Sequence, residues 1–190
     1  PDGADITDAA EMAELFDRVR PEVVYHLAGW ADVGGSWKHP VDAFRANAEG
    51  TLNVLSAAAE VDVQRVIAVS SADVYGTVPT ENLPVTEDTP LRPVSPYAVS
   101  KVAADYLGLQ AWLGRRLPVP RVRAFNHLGP GQTDAFVAPA LASRIARAER
   151  DGSEVLKIGN LSARRDFTDV RDVVRAYRLL MELGEPGEVY

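Results

Sequence analysis

The chain has 190 residues, is 46% hydrophobic and 25% charged, and carries a formal net charge of −7. That length and apolar content suffice for a sizeable core in one soluble domain. The acidic balance, with no cluster of Lys and Arg, argues against a groove for nucleic acid, and the absence of cysteine rules out a disulfide framework, a thiolate metal site and a cysteine nucleophile.

Along the chain, strand-like and helix-like segments alternate. Thr7 and Asp8 are N-cap residues, and Ala10, Met12, Ala13, Leu15, Phe16 and Val19 follow at helical spacing. Val23-Val24-Tyr25-His26-Leu27 reads as a strand, and residues 40–61 read as a long helix carrying Phe44, Leu52, Val54 and Leu55. Val66-Ile67-Ala68-Val69 is an apolar run of the kind buried on both faces of a sheet. Residues 79–96 are rich in proline and form a stiff connection, and connections of that length are usually functional. Ser95-Pro96 is a cap and proline start for a helix reaching about residue 116. A strand over 119–125, a helix over 136–150, a short strand over 154–158 and an amphipathic helix over 169–183 follow. Glu188-Val189-Tyr190 reads as a further strand. This alternation predicts a mainly parallel sheet with helices on both faces and ligands beyond the carboxyl ends of the strands. No apolar run reaches membrane-spanning length and nothing resembles a signal peptide, so the expectation is a cytoplasmic protein with no membrane partner.

The residues after Leu27, Val69 and Phe125 are therefore where chemistry is expected. Ala28-Gly29 would let a flat ligand approach the backbone. Ser70-Ser71-Ala72-Asp73-Val74-Tyr75-Gly76 is dense in hydroxyls, and Asn126-His127 precedes Gly129-Pro130-Gly131. Between them, Tyr97 and Lys101 stand four apart and share a helix face. A phenol is a poor acid–base group at its ordinary pKa, about 10. A nearby ammonium is expected to draw that value down, leaving a proton donor for a carbonyl reduction, with a Ser hydroxyl holding the reacting oxygen.

Other polar residues have plainer readings. Asn47 ties neighbouring loops through its amide, His26 satisfies a hydrogen bond inside a strand, and His39 is solvated. His127 belongs to the scaffold, and three scattered histidines do not form a metal site. Asp169, Arg171 and Asp172 cap and decorate the last helix. Tyr75 packs and hydrogen-bonds, while Trp30 and Trp37 either border a ligand or simply pack.

Seven stretches, in order, carry a family resemblance: Asp5-Ile6; His26-Leu27-Ala28-Gly29; Asn47 with Gly50-Thr51; SSADVYG; SPYAVSK; FNHLGPGQ; and RRDFTDVRDVVRAY. The chain resembles the extended short-chain dehydrogenase/reductases of the NAD-dependent epimerase/dehydratase family. It is most similar to the GDP-sugar branch, in particular the reductases of GDP-4-keto-6-deoxy-D-mannose. The resemblance implies an α/β fold with a Rossmann-like doubly wound parallel sheet. Residues 1–130 would be a truncated NAD(P)-binding domain, and 131–190 part of a substrate-binding region with segments returning to the core. It also implies NADP or NAD as cofactor, a GDP-linked sugar as substrate and a homodimer in the full-length protein. Ala103, Leu107 and Leu109 would be candidates for the dimer contact.

Carried onto matching positions, Tyr97 is the general acid and Lys101 binds the nicotinamide ribose while lowering the Tyr97 pKa. Ser71 holds the reacting oxygen. Asp5 and Ile6 lie beside the adenine, and Leu27, Ala28 and Gly29 wall the cofactor. Asn126, Val137 and Arg165 contact the sugar nucleotide, Val137 at its base and Arg165 at its diphosphate, where a guanidinium fork suits phosphate. Asp73 stands where dehydratases of the family usually carry a Glu that removes a sugar proton, and Ala72 replaces an Asp found beside it in some. Both features favour plain reduction of the 4-keto sugar to GDP-D-rhamnose over 4,6-dehydration of GDP-mannose or epimerisation of another nucleotide sugar. A non-catalytic nucleotide-sugar-binding homologue or an inactive piece is the alternative of another class. The family's Gly-rich pyrophosphate turn has no counterpart in these residues, so a fragment of a longer protein is expected.

Overall fold

The computed structural model describes residues 3–153, 155–159, 162 and 164–190. Asp8 opens helix α1 (Ala9–Val19) by accepting from the Ala10 and Glu11 backbone N–H groups at 2.9 and 3.1 Å. Met12 and Phe16, one turn apart, are its buried residues, and Arg20 closes it in the left-handed conformation. Strand β1 (Val23–His26) follows, then a loop and the single turn α2 (Val33–Ser36).

The segment expected as one long helix is α3 (Pro40–Phe44), a π-helical turn (Arg45–Glu49) and α4 (Gly50–Glu60) in unbroken succession. The extra residue accommodated by a π-turn re-aims side chains, and such turns recur at functional sites. Here the turn buries Asn47.

Strand β2 (Arg65–Val69) pairs in parallel with β1 on one side and with β3 (Arg121–Val122) on the other. Val66 and Ile67, which point to opposite faces of the sheet, are both fully buried, as the apolar run implied. Met12 and Phe16 from α1, Val54, Leu55 and Ala58 from α4, and Val66 and Ala68 from β2 belong to one core cluster with Ala111, Leu117 and Val119.

Strand β3 is shorter than the 119–125 expected. Pro118 and Pro120 lack the N–H that a ladder needs, so this stretch mainly accepts: Val66 N–H bonds Pro118 O and Ala68 N–H bonds Pro120 O. The backbone alignment nevertheless extends to Ala124. The last residues behave as the expected strand: Arg121 N–H bonds Glu188 O, Tyr190 N–H bonds Arg121 O, and Val189 bridges Arg121 in parallel.

Helix α5 (Pro96–Arg115) is lined on its buried side by Ala98, Ser100, Ala104, Gly108 and Ala111. Small side chains let it approach the sheet closely; a Cβ on Gly108 would sit 3.3 Å from Val119 and 3.2 Å from the Arg121 stem. Leu107 packs inward against the core cluster rather than outward.

The chain forms two compact units, residues 1–124 with 176–190, and residues 125–175. In the second, β4 (Asn126–Leu128) pairs in parallel with β5 (Phe167–Asp169), and α6 (Val137–Asp151) has no buried residue. The strand expected over 154–158 is not formed: residues 155–158 have no regular structure and are exposed, and Glu154 lies outside the described residues. Helix α7 (Val170–Leu183) is opened by Asp169, whose carboxylate accepts from Arg171 N–H at 2.8 Å and pairs with the Arg171 guanidinium. Its residues from Ala176 onward belong to the first unit. Together the elements make a partial Rossmann-like α/β fold with parallel sheets.

Candidate active site

Helix α5 begins as its sequence dictates. Ser95 is extended, its hydroxyl accepts from Ala98 N–H at 3.1 Å, and Pro96 occupies the first turn. The next residue is Tyr97, whose backbone N–H is taken by the fully buried Ser36 hydroxyl of α2 at 3.2 Å. Ser100 donates to Tyr97 O at 2.7 Å and accepts from the Asn47 amide at 2.9 Å. That amide also brackets the Trp30 backbone, accepting from its N–H at 2.9 Å and donating to its carbonyl at 3.2 Å. The loop after β1, the π-turn and the start of α5 are thus sewn together by one buried side chain.

Lys101 lies one turn further along. Its ammonium donates to Val69 O, the last carbonyl of β2, at 3.1 Å, and its own carbonyl accepts from Ser70 at 3.0 Å. From there the chain turns through Ser71, which caps the 3₁₀ turn Ala72–Tyr75 by accepting from Asp73 N–H at 3.2 Å. The turn is tethered to the stretch beyond β3, with Ser70 N–H on Val122 O at 2.7 Å and Ala72 N–H on Ala124 O at 2.9 Å. Ser71, Asp73, Tyr97 and Lys101 therefore converge beyond the carboxyl end of β2.

The electrostatics correct one expectation. Burial pushes the Tyr97 phenol above its ordinary pKa; the Ser71 hydroxyl pulls it down, and the Asp73 carboxylate pushes it up again. Lys101 does not reverse that rise. Its ammonium is engaged with the Val69 carbonyl, 6.0 Å from the centroid of the Tyr97 ring, and its own pKa is lowered by burial to about 8. Desolvation of a phenol penalises the phenolate, so Tyr97 holds its proton here. His26 is also kept neutral, at about 4, by burial and then by the Lys101 charge; its Nε2 lies 2.9 Å from the Thr51 hydroxyl.

Asp5, Ile6, Leu27, Ala28 and Gly29, the residues expected around a nicotinamide cofactor, all lie in the first unit. Gly29 has φ of +152°, and a Cβ there would come within 2.5 Å of Asn47 Oδ1, so only glycine fits against that amide, beside the lysine. Leu27 and Ala28 stand exposed at the end of β1. Ile6 occupies the space that a Cβ on Gly50 would fill, which fixes the segment carrying Asp5 against α4. The Asp5 carboxylate is exposed, accepts from Thr7 N–H and Oγ1 at 2.9 and 2.8 Å, and is held below its usual pKa by those bonds.

The other candidates belong to the second unit. Asn126 opens β4 opposite Phe167 and is exposed. Val137 is the first residue of α6 and is also exposed. Arg165 is exposed, with Nη1 donating to Arg164 O at 2.8 Å. His127 is exposed, its Nδ1 3.3 Å from Phe125 O.

Sequence reasoning missed Ser36, which lies between two glycines and tryptophan and gives no signal of its role. It also passed over Asp105, Arg121 and Arg123, all buried, with both arginines paired to the one carboxylate. Their signal was present: one carboxylate and two guanidiniums interrupt apolar stretches where a core was expected.

A family model described as GDP-mannose 4,6 dehydratase matches residues 3–190. The chain belongs to that family. It is 38% identical to GDP-6-deoxy-D-mannose reductase of Pseudomonas aeruginosa, an alignment covering 100% of this chain and 63% of that protein. It is 28% identical to GDP-mannose 4,6-dehydratase of Sinorhizobium fredii, covering 97% of this chain and 53% of that one. Among solved structures, RMD from Pseudomonas aeruginosa complexed with NADPH matches with a TM-score of 0.91 at 38% identity, over 100% of this chain and 66% of that one. DesIV, a dTDP-glucose 4,6-dehydratase from Streptomyces venezuelae with NAD and TYD bound, matches with a TM-score of 0.87 at 29% identity, over 98% and 56%. The chain thus spans between half and two thirds of the length of these relatives.

Proposed function

We propose that this chain carries the catalytic centre of an NAD(P)H-dependent enzyme that reduces GDP-4-keto-6-deoxy-D-mannose to GDP-D-rhamnose. The observation that carries the reading is the convergence of a protonated, buried Tyr97 with Ser71 and Lys101 beyond β2, in a chain 38% identical to a GDP-6-deoxy-D-mannose reductase. Lys101 and the Gly29 backbone would hold the nicotinamide ribose, with Leu27 and Ala28 as wall and Asp5 and Ile6 toward the adenine. The bound cofactor supplies hydride. Tyr97, holding its proton because it is buried, donates that proton to the C4 oxygen, which Ser71 orients. Asn126, Val137 and Arg165 are the proposed contacts to the sugar nucleotide.

Incubation of the full-length protein with GDP-4-keto-6-deoxy-D-mannose and NADPH or NADH should consume the reduced cofactor and form GDP-D-rhamnose. A second reading, 4,6-dehydration of GDP-mannose, is favoured by the family description and by the Asp73 carboxylate acting on Tyr97. GDP-mannose without added reductant distinguishes them, since formation of the 4-keto product would sink the reductase reading. We also propose that the full-length protein is a homodimer paired through α4 and α5. Val99, Tyr106 and Leu113 form an exposed apolar stripe on α5 alongside the half-buried Ala103, while Leu52 is exposed on α4. Leu107, which faces the core, is not part of it. Sedimentation of a Tyr106→Glu variant should show monomers.

A further inference from the structure

The interior of the first unit holds a polar cluster that the proposed chemistry does not use. Asp105, fully buried on α5 one turn beyond Lys101, pairs with Arg121 and with Arg123, whose Nε donates to Oδ2 at 2.8 Å and Nη2 to Oδ1 at 3.2 Å. Arg121 directs its remaining donors to Gly187 O at 2.8 and 3.1 Å. Arg123 instead reaches two loops: its Nη1 donates to the Tyr75 hydroxyl at 3.2 Å and to Glu87 O, in the proline-rich connection, at 3.1 Å. The guanidinium carbon also lies 5.4 Å from the centroid of the Tyr75 ring.

Two charged guanidiniums around one carboxylate are an expensive way to fill a core, and apolar residues of similar volume are often at least as stabilising. The arrangement does something apolar packing does not: it fixes orientation. Tyr75 ends the same four-residue 3₁₀ turn that Ser71 caps, and that turn carries Asp73. Asp105 shares a helix with Tyr97 and Lys101. The chain of bonds from Asp105 through Arg123 to the Tyr75 hydroxyl therefore runs from the helix of the proton donor to the turn that presents Ser71.

We propose that Tyr75, held by Arg123 and Asp105, is a positioning residue that sets the Ser71 hydroxyl against Tyr97 for proton transfer. The inference rests on the reading of Ser71 and Tyr97 as the reacting pair. It requires that loss of the Tyr75 hydroxyl act through Ser71 and nowhere else.

The test is a double-mutant cycle in the full-length protein, with GDP-4-keto-6-deoxy-D-mannose and NADPH as substrates. Tyr75→Phe removes one hydroxyl and keeps the ring under the guanidinium, and Arg123 retains Asp105 and Glu87 O as partners. Expected is a fall in kcat of about tenfold, the scale of one misplaced hydrogen bond, with KM for the sugar nucleotide within about twofold. In a Ser71→Ala background, Tyr75→Phe should cost nothing further. Arg123→Lys, which keeps the charge but cannot serve Asp105 and Tyr75 together, should repeat the pattern, and NADPH binding monitored by fluorescence reports whether each variant is folded. Losses that add across the cycle, or an unchanged kcat in Tyr75→Phe while Ser71→Ala is crippled, overturn the positioning role alone. A Ser71→Ala enzyme with undiminished turnover overturns both this inference and the site reading beneath it.

Discussion

The two compact units use their polar residues in opposite ways. In the first, polar side chains are buried and tied to each other: Asn47 to Trp30 and Ser100, Ser36 to Tyr97, and Asp105 to two arginines. In the second, α6 has no fully buried residue, and the polar Asn126 and Arg165 are exposed, as is Val137. Groups that must transfer a proton need a fixed geometry and a controlled pKa, and burial with hydrogen bonds supplies both. Groups that grip an arriving ligand need to be reachable. The first unit is accordingly expected to govern kcat and the second to govern KM.

The sharpest way to break that division is Tyr97→Phe, which should lower kcat by roughly 10²–10⁴-fold while leaving nucleotide binding intact. If turnover in a steady-state assay survives, Tyr97 is not the donor. Arg165→Ala should act from the other side, raising KM for the GDP-sugar by about tenfold or more with a smaller effect on kcat, as expected for loss of a charge-assisted phosphate contact. A pure kcat effect would put Arg165 among the reacting groups and undo the comparison. The pH dependence sharpens the first half. Reduction needs Tyr97 protonated and Lys101 charged, so kcat/KM should be level near neutrality and fall as pH rises through about 8, where Lys101 loses its proton. An alkaline limb starting well above that value would show that cofactor binding restores the lysine to its ordinary pKa.

A smaller effect concerns stability. His26 is depressed from 6.5 to about 4 in the fold, so the unfolded chain takes up a proton first as pH drops. Its contribution is fully present above pH 6.5 and is lost as pH falls towards 4, amounting to roughly 3 kcal/mol by linkage. Urea unfolding at several pH values should show this slope, and His26→Gln should flatten it. An unchanged slope would place the titration elsewhere.

Much of this architecture could be read before any coordinates. Apolar periodicity and capping chemistry are local, so α1, α5 and α7 fall within a residue or two of where Asp8, Ser95-Pro96 and Asp169 place them. The parallel sheet followed from the buried run at Val66 to Val69. Prolines 118 and 120 are the visible sign in the sequence that β3 is thinly bonded. Of the short strand expected over 154–158, residues 155–158 have no strand partner among the described residues, and β-propensity without a partner forms nothing. At the site, ordered motifs located Ser71, Tyr97 and Lys101, but not the direction of the Tyr97 shift. Spacing puts two side chains on one face; it does not show that the lysine prefers the Val69 carbonyl, nor how dry the phenol is.

The pairing of residues 188–190 with β3 also has a consequence for how the chain is made. β3 gains this neighbour only after the whole of the second unit has left the ribosome. Until then Arg121 lacks the Gly187 carbonyl that takes two of its donors, and one edge of the sheet stands open. Synthesis at about 5–20 residues per second leaves that edge waiting for several seconds. A nascent chain with residues 1–124 clear of the ribosome should therefore be more sensitive to protease, and more readily held by a chaperone, than one with residues 1–190 clear of it.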